Sequence, residues 1–342
     1  MNRGFVLVTG ATGFLGKQLC PALLRKGYRV RATYRGPIGA GFSENGGVEW
    51  VSAGCIDRET IWDGILKGGI SHVVHLAAVA HRVGPKAQVP DSVYDEVNHL
   101  ATVALAQAVA RTSSIGRFIF ISSIGAVTSL SDVPVTSATS CHPDSAYGAS
   151  KLAAELGIQN AFGNAATEWC ILRPPLLYGP GNPGNMARLL SLLKLHIPLP
   201  FGSIRNRRTF LYVGNLVDAI LVALEHRGAV RNVFCIGDIP DLSTPDLMRA
   251  LGNAAGEQVR LLPFPIPALR LVGRLGGFVT RVTGRSMGFD EQAIDKLCGS
   301  LPVDSSRFRK MCDWCPPFSM QHGLQTTVAA PSSCKDLPTG SS

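Results

Sequence analysis

The chain has 342 residues, of which 46% are hydrophobic and 17% charged, with 37 Gly and 22 Pro. That profile excludes a disordered, collagen-like or coiled-coil chain, and the length buries a large core without disulfide or metal staples. The net charge of +9 suits a phosphorylated partner. The cations are scattered, however, with Arg205, Arg207 and Arg208 the densest group and no aromatic stacking motif among them. A small phosphorylated ligand therefore fits better than nucleic acid.

In chain order, Phe5–Thr9 reads as a strand, and Phe14–Lys26 carries Leu15, Leu19, Ala22 and Leu23 at helical spacing. Arg29–Tyr34 and His72–Ala77 read as further strands, Val93–Arg111 as a long Ala-rich helix, and Arg117–Ser122 as a very apolar strand. Glu168–Arg173 is another strand, after which the Pro- and Gly-rich run RPPLLYGPGNPGN turns from framework to loops. This alternation predicts an α/β chain with a Rossmann-type, doubly wound parallel sheet covered by helices on both faces. Beyond it lie a helix at Met186–Leu195, a strand near Thr209–Val213, a helix at Leu216–Glu225 and a strand at Asn232–Ile236. The expected organisation is a dinucleotide-binding domain over 1–175 with its last strands drawn from 209–240, a smaller substrate lobe over 176–329, and a flexible tail over 330–342.

Nine cysteines, irregularly spaced, read as reduced thiols. Cys312 and Cys315 have CxxC spacing but no second pair to complete a zinc site, so a surface loop without metal is expected. No signal peptide precedes the first strand, and Arg270, Arg274, Arg281 and Arg285 interrupt the apolar stretch 263–288, leaving a basic amphipathic segment and no clean transmembrane span. A cytoplasmic protein is expected.

Thr9-Gly10-Ala11-Thr12-Gly13-Phe14-Leu15-Gly16 directly follows a strand and opens a helix, the context a dinucleotide fingerprint demands. Glycines let the turn tighten and the backbone approach a pyrophosphate, and the helix N-terminus attracts the phosphates. This motif resembles that of the extended short-chain dehydrogenases/reductases, the sugar-nucleotide epimerase/dehydratase group, and the likeness runs from about Gly4 to Leu324. It implies cofactor contacts at Gly10, Thr12, Gly13, Phe14, Leu15 and Gly16, along Leu76, Ala77 and Ala78 after the fourth strand, and at Pro174. Asn98 matches a usual structural Asn of the family. In the adenine loop, Gly54-Cys55-Ile56-Asp57, Cys stands where the family often has Asp, and Asp57 is the carboxylate assigned to that loop. NAD binders place a carboxylate on the ribose about 20 residues past the glycines, whereas NADP binders need Arg. The matching position is Tyr34, followed by Arg35 and preceded on its strand by Arg31, which favours NADP(H) over NAD(H).

Tyr147 and Lys151 are four residues apart, so a helix sets both on one face. A free tyrosine is a poor acid or base near neutrality, and a nearby ammonium favours the phenolate. The strand Phe118-Ile119-Phe120-Ile121 ends in Ser122 and Ser123 at the carboxyl edge, where α/β sheets bind ligands. The resemblance selects Ser123 to orient a substrate oxygen, with Ser122 a backbone-turn partner, Tyr147 as acid/base and Lys151 also on the nicotinamide ribose. It further implies that Asn185 and Arg208 hold a nucleotide-sugar diphosphate, the Arg by charge-assisted bonds. Asn215 stands where many relatives carry Asp, and Trp314 with Pro316 matches a structural closing segment. Relatives often form homodimers through the two helices that include Tyr147.

A 4,6-dehydratase has an acidic pair immediately after the strand-end hydroxyl, whereas here Ser123 is followed by Ile124-Gly125. That leaves an oxidoreductase acting at C4 of a nucleotide sugar. The Tyr34/Arg35 reading tips the expectation toward reduction of a UDP-4-keto-6-deoxy-N-acetylhexosamine in surface-polysaccharide synthesis. The alternative is a UDP-hexose or UDP-N-acetylhexosamine 4-epimerase with bound NAD, and a remoter one is a non-catalytic NADP-binding regulator. Hydroxysteroid-type relatives share the Ser, Tyr and Lys, but the diphosphate-side matches argue against them.

Overall fold

The computed structural model describes residues 4–36, 47–80, 89–182, 185–271, 273–274 and 291–329. Strands β1 (Phe5–Thr9), β2 (Arg29–Tyr34), β3 (Val48–Ser52), β4 (Ile70–His75), β5 (Arg117–Ile121) and β6 (Glu168–Arg173) form the main sheet, with β9 (Asn232–Cys235) added at its end. The order is β3-β2-β1-β4-β5-β6-β9 and every pairing is parallel. The chain runs outward in opposite directions from β1 and β4, so the crevice above their carboxyl ends is the switch point at which such sheets bind ligands.

Period-two alternation divides the core between the two faces. Phe118 and Phe120 of β5 pack with Leu105 and Val109 of α4 (Ala101–Ala110) and with Ile158 of α5 (Ala146–Ala161). Ile119 and Ile121 face the other way, toward Leu19 and Leu23 of α1 (Phe14–Arg25) and Leu216 and Ile220 of α7 (Val213–Glu225). A strand covered on both faces has no polar side to show, which explains the unbroken apolar run.

Three details depart from the sequence reading. The helix over 91–110 is not uniform: α3 (Asp91–Tyr94) passes through a π-helical turn at Asp95–Leu100 before α4, and Asn98 lies in that turn. Of the two strands expected within 209–240, only β9 joins the main sheet; β8 (Phe210–Tyr212) pairs instead with β7 (Leu176–Tyr178) in a separate two-stranded ribbon. Cys312 is not on a surface loop, since it is buried in the cluster that includes Phe308 and Trp314, while Cys315 is exposed. No group of three metal-ligating side chains occurs among the described residues.

The remaining helices with a role below are α2 (Asp63–Leu66), α6 (Asn185–Leu193), α8 (Thr244–Ala255) and the segment Glu291–Cys298. The tail expected over 330–342 lies outside the described residues, as does most of the 263–288 stretch beyond residue 274. Among the described residues no helix is long and apolar enough to cross a membrane.

Candidate active site

The β1–α1 turn is shaped by contacts that tolerate no side chain. Gly10 has φ +69°, and a Cβ there would lie 2.7 Å from the Ala77 nitrogen; one on Gly16 would lie 2.5 Å from Ala11 Cα. Glycine is thus required where β1 meets the loop after β4 and where α1 meets its own entry turn. Gly13, the N-cap, is extended and offers no side-chain cap. The first N–H groups of α1, at Phe14, Leu15 and Gly16, have no intrahelical acceptor and, with the helix dipole, make a cradle for a dinucleotide diphosphate. Thr12 and Gly13 are exposed at its lip.

The loop after β4 is tied to this turn by polar groups. Thr9 Oγ1 accepts from the backbone nitrogens of Leu76 (3.2 Å) and Ala77 (3.3 Å) and lies 2.6 Å from His75 Nδ1. His75 Nε2 is 2.9 Å from Thr102 Oγ1, which donates to the Asn98 carbonyl at 2.8 Å. Burial, reinforced by the Lys151 charge, lowers the His75 pKa to about 3, so the ring is neutral and serves as a structural link. Asn98 accepts from Val79 N at 2.7 Å and donates to Val79 O (3.0 Å) and Ser150 Oγ (3.1 Å), stitching the loop that carries Leu76, Ala77 and Ala78 to α5.

At the carboxyl end of β2, Tyr34 is half-buried and Arg35 exposed. The expectation for Arg31 is corrected here. Its Nη1 donates to the carbonyls of Ile65 (2.8 Å) and Lys67, and its Nη2 pairs with Glu49 at 3.0 Å. That guanidinium ties the end of α2 to β3. Asp57 accepts from Glu59 N (2.9 Å) and Thr60 Oγ1 (3.1 Å), so its carboxylate organises a turn of the adenine loop.

Ser123, Tyr147 and Lys151 do converge. Ser145 caps α5 by accepting from Gly148 N at 3.1 Å. Gly148 packs so closely on the short turn after β5 that a Cβ would sit 2.2 Å from the Gly125 oxygen. This contact sets Tyr147 beside Ser123, with which it shares a hydrogen bond, while Ser123 Oγ also accepts from Gly125 N at 3.0 Å. The Tyr94 ring meets Tyr147 edge-on at 6.2 Å. Burial pushes the Tyr147 phenol above its ordinary value; the Ser123 hydrogen bond opposes that shift and Tyr94 adds to it. Lys151 Nζ donates to the Ile121 carbonyl at 2.9 Å and lies 4.6 Å over the Phe120 ring. Burial brings its pKa down to about 7, with Glu155 pulling the other way. In this geometry the ammonium engages the carboxyl end of β5. Pro174, buried beside this centre, accepts from Ile124 N at 2.9 Å.

Sequence reasoning missed the buried ion pair behind this centre. Arg173 at the end of β6 donates to Glu155 through Nε (2.9 Å to Oε1) and Nη2 (2.5 Å to Oε2), and Ser122 Oγ donates to the same carboxylate. Ser122 thus differs from expectation, pointing into the core, and it is Ser123 that caps the turn. The signal was present, because Glu155 follows Lys151 by one helical turn. Tyr94, 53 residues before Tyr147, carried no signal.

Arg208 Nη1 donates to the carbonyls of Lys296 (2.7 Å) and Gly299 (3.0 Å), at the end of the helix Glu291–Cys298. Asn185 begins α6, and its side chain lies outside the described residues. Asn215 is buried and donates to Asp238 at 2.7 Å; Asp238 also accepts from Tyr212 N (2.8 Å) and the Tyr178 hydroxyl (3.2 Å), which fixes the β7–β8 ribbon. Trp314 Nε1 donates to Asp218 at 2.9 Å and its ring meets Phe308 edge-on, a packing role.

A profile of the NAD dependent epimerase/dehydratase family matches residues 6–237. The UDP-glucose 4-epimerase of Vibrio cholerae is 35% identical over 329 residues, spanning 95% of this chain and 94% of that protein. The N-acetyl-alpha-D-glucosaminyl-diphospho-ditrans,octacis-undecaprenol 4-epimerase of Escherichia coli O157:H7 is 26% identical, with 94% of each chain covered. Among solved structures, UDP-glucuronic acid 4-epimerase of Bacillus cereus, in complex with UDP-glucuronic acid and NAD, matches with a TM-score of 0.73 at 23% identity over 95% of this chain and 98% of that one. The structural likeness establishes the Rossmann-type fold.

Proposed function

The chain belongs to the NAD dependent epimerase/dehydratase family, and from that premise we propose that it is a 4-epimerase of a hexose carried on a diphosphate, working with tightly held NAD. The observation that carries this reading is the hydrogen bond between Ser123 and Tyr147 with Lys151 one turn on, beside the glycine cradle. The two curated relatives are, by name, 4-epimerases of a UDP-sugar and of a polyprenyl-diphosphate sugar. They support epimerisation over the reduction expected from the sequence. Of the cues for NADP, Arg31 is committed to Glu49 and two carbonyls, which leaves Arg35 and the lack of a carboxylate at Tyr34.

The α1 cradle would hold the dinucleotide diphosphate, and Leu76, Ala77, Ala78 and Pro174 would line its path. The nicotinamide supplies the position at which a hydride from sugar C4 is held and returned. Ser123 orients the C4 oxygen. Tyr147, as phenolate, would take the O4 proton as the hydride leaves C4 and return it to O4 after the keto sugar turns, when the hydride comes back to the opposite face of C4. Since burial, with Tyr94 adding to it, holds the Tyr147 proton on, the positive charges of Lys151 and of the oxidised cofactor would together have to favour the phenolate. Arg208, with Nε and Nη2 beyond the two bonds made by Nη1, and Asn185 would face the sugar diphosphate. A homodimer through α4 and α5 fits the exposure of Leu156 on α5.

Purified protein should release NAD on denaturation and interconvert UDP-glucose with UDP-galactose, or their N-acetylated forms, without added cofactor. Oxidation of NADPH on addition of a UDP-4-keto-6-deoxy-N-acetylhexosamine would replace epimerase with reductase. Tyr147→Phe should lower kcat by about 10³-fold, the scale of a lost acid/base group, with nucleotide content unchanged. Full turnover in that variant would remove Tyr147 from the chemistry.

A further inference from the structure

The basic amphipathic stretch over 263–288 has no part in the proposed reaction. From Gln258 to Phe289 the sequence carries five Arg and no Asp or Glu. Its first residues lie beside the end of α6, where backbone bonds set two segments side by side. Leu199 N donates to the Arg260 carbonyl (2.8 Å), Leu262 N to the Leu199 carbonyl (2.9 Å) and Gly202 N to the Leu262 carbonyl (2.9 Å), while His196 Nδ1 is 3.3 Å from Glu257. Both segments turn large aliphatic side chains to solvent. Past the end of α6 the chain runs through His196 at φ +51°, and residues 194–198 are all exposed. Leu195 is 58% and Ile197 53% exposed, with Leu262 at 52% on the neighbouring segment. In the helical residues 266–271 and 273–274 that follow, Pro267, Arg270, Leu271 and Arg274 are exposed, and their spacing sets them on one face, away from the buried Leu269.

Charge decides what covers these side chains. Arg188, Lys194, Arg260, Arg270 and Arg274 are exposed among them, against the carboxylates of Glu257 and Asp295. The apolar middle of a protein–protein interface is depleted of charge, and of Lys above all. A bilayer surface takes the same mixture readily, because the stems of Arg and Lys lie along the apolar layer while their heads reach the phosphates. We propose that this face, built from residues 194–198, 260–262 and 266–271, docks on an anionic phospholipid surface. Leu195, Ile197, Leu262 and Leu271 enter the acyl boundary and the cations meet the headgroups. α6 runs nine residues, about 13 Å, from this face back to Asn185, so docking holds the proposed diphosphate side of the site close to the lipid.

The test is sedimentation of the full chain with vesicles of equal parts phosphatidylglycerol and phosphatidylcholine at physiological salt, beside vesicles of phosphatidylcholine alone. Wild type should pellet with the first and stay in the supernatant with the second. Leu195→Gln/Ile197→Gln leaves the charge unchanged and should weaken partitioning at least about tenfold. Arg260→Gln/Arg274→Gln should weaken it about fivefold for each cation removed. Two controls match these changes elsewhere on the surface: Ile61→Gln before α2, and Arg25→Gln/Lys26→Gln at the end of α1. Both should partition as wild type does, and thermal melts should show every variant folded. Wild type that stays off the mixed vesicles would overturn the proposal. So would an α1 control that weakens binding as much as Arg260→Gln/Arg274→Gln, since net charge alone would then be acting. A wild-type dimer that Leu195→Gln/Ile197→Gln dissociates, with no vesicle binding, would overturn it in favour of a second copy on this face. Partitioning is read without turnover, so its failure is distinct from failure of the Tyr147→Phe test.

Discussion

The two ends of strands β5 and β6 solve the same problem, a buried cation, in different ways. At the amino end Arg117 and Glu168 face each other in register. Arg117 Nε lies 3.1 Å from the carboxylate, Nη2 also bonds it, and Nη1 donates to the carbonyls of Ala223 (2.8 Å) and His226 (2.9 Å). Every charge has its counterpart there, and the pair clamps the sheet to the end of α7. At the carboxyl end there are two cations and one carboxylate: Arg173 takes Glu155, and Lys151 Nζ has the Ile121 carbonyl instead. The surplus cation is the one beside the Ser123–Tyr147 pair. Balanced burial marks architecture; unbalanced burial marks where the fold gives up stability for chemistry.

Neutralising the surplus cation should therefore have the largest and most divided effect. Lys151→Met is expected to cut kcat by about 10²–10³-fold, as for loss of a preorganised charge. It should at the same time raise stability by on the order of 3 kcal/mol at pH 7, since a buried amine no longer has to lose its proton or its hydration. The native pKa near 7 lies below the ordinary value of 10.5, so between them the unfolded chain holds a proton that the native state lacks. The gain is then full at neutrality and fades as pH approaches 10.5. Urea melts at pH 7 and pH 10 measure it; a destabilised Lys151→Met would erase the contrast between the two ends. The reciprocal change, Arg117→Met, should cost about 1–3 kcal/mol by leaving the carbonyls of Ala223 and His226 without their donor, while the half-exposed Glu168 is solvated. Its kcat and nucleotide content should match wild type, which activity assays on the folded variant would check.

How far the sequence reveals each end follows from the range of the contacts. The glycine turn, the β5 run and the Tyr147/Lys151 spacing are local patterns, and local geometry placed them correctly. Glu155 was equally legible, at four residues from Lys151, but its partner Arg173 lies 18 residues on, at the far end of the next strand, and only tertiary packing joins them. Arg31 misled because alternation along β2 says which face a side chain takes, not that α2 and β3 close over it. Strand β3 escaped notice as an edge strand whose alternation is weak, with Trp50 only half-buried. The C-terminal region is built from single bridges such as Arg208↔Leu242 and Leu199↔Leu261, which have no period to read.

Gly148 tests whether the carboxyl end is set by backbone approach. Ala at this position must move α5 off the Gly125 oxygen, 2.2 Å from where its Cβ would fall, and so part Tyr147 from Ser123. A displacement of about 1 Å at reacting groups costs about 10²-fold in rate, equal to about 2.7 kcal/mol. Gly148→Ala should show that loss in kcat. Gly157→Ala on the same helix, whose Cβ would meet Val103 Cγ2 at 2.3 Å in the α4–α5 seam, should lower Tm with a smaller effect on kcat. Equal kcat losses in the two would mean that the helix moves as a whole and that Gly148 has no special place.

The smallest effect separates the ends by pH. β4 carries one histidine near each: His72, half-buried near Arg117, and His75, fully buried and close to Lys151. Burial, then the neighbouring cation, lowers both pKa values, and that of His75 reaches about 3. Each native imidazole stays neutral where the unfolded one takes up a proton, so each contributes its stability fully above about pH 6.5 and loses it as the solution is acidified. For His75 the loss runs at about 1.4 kcal/mol per pH unit from about 6.5 toward 3. His72 is also flanked by Glu225 and Glu168, which raise its pKa and narrow its window. His75→Asn, which retains polar atoms for Thr9 and Thr102, should therefore flatten the fall of Tm between pH 6 and pH 4.5 more than His72→Asn does. If His72→Asn flattens it equally, the cation at the carboxyl end is no more exacting than the paired one at the amino end, and charge balance does not distinguish them.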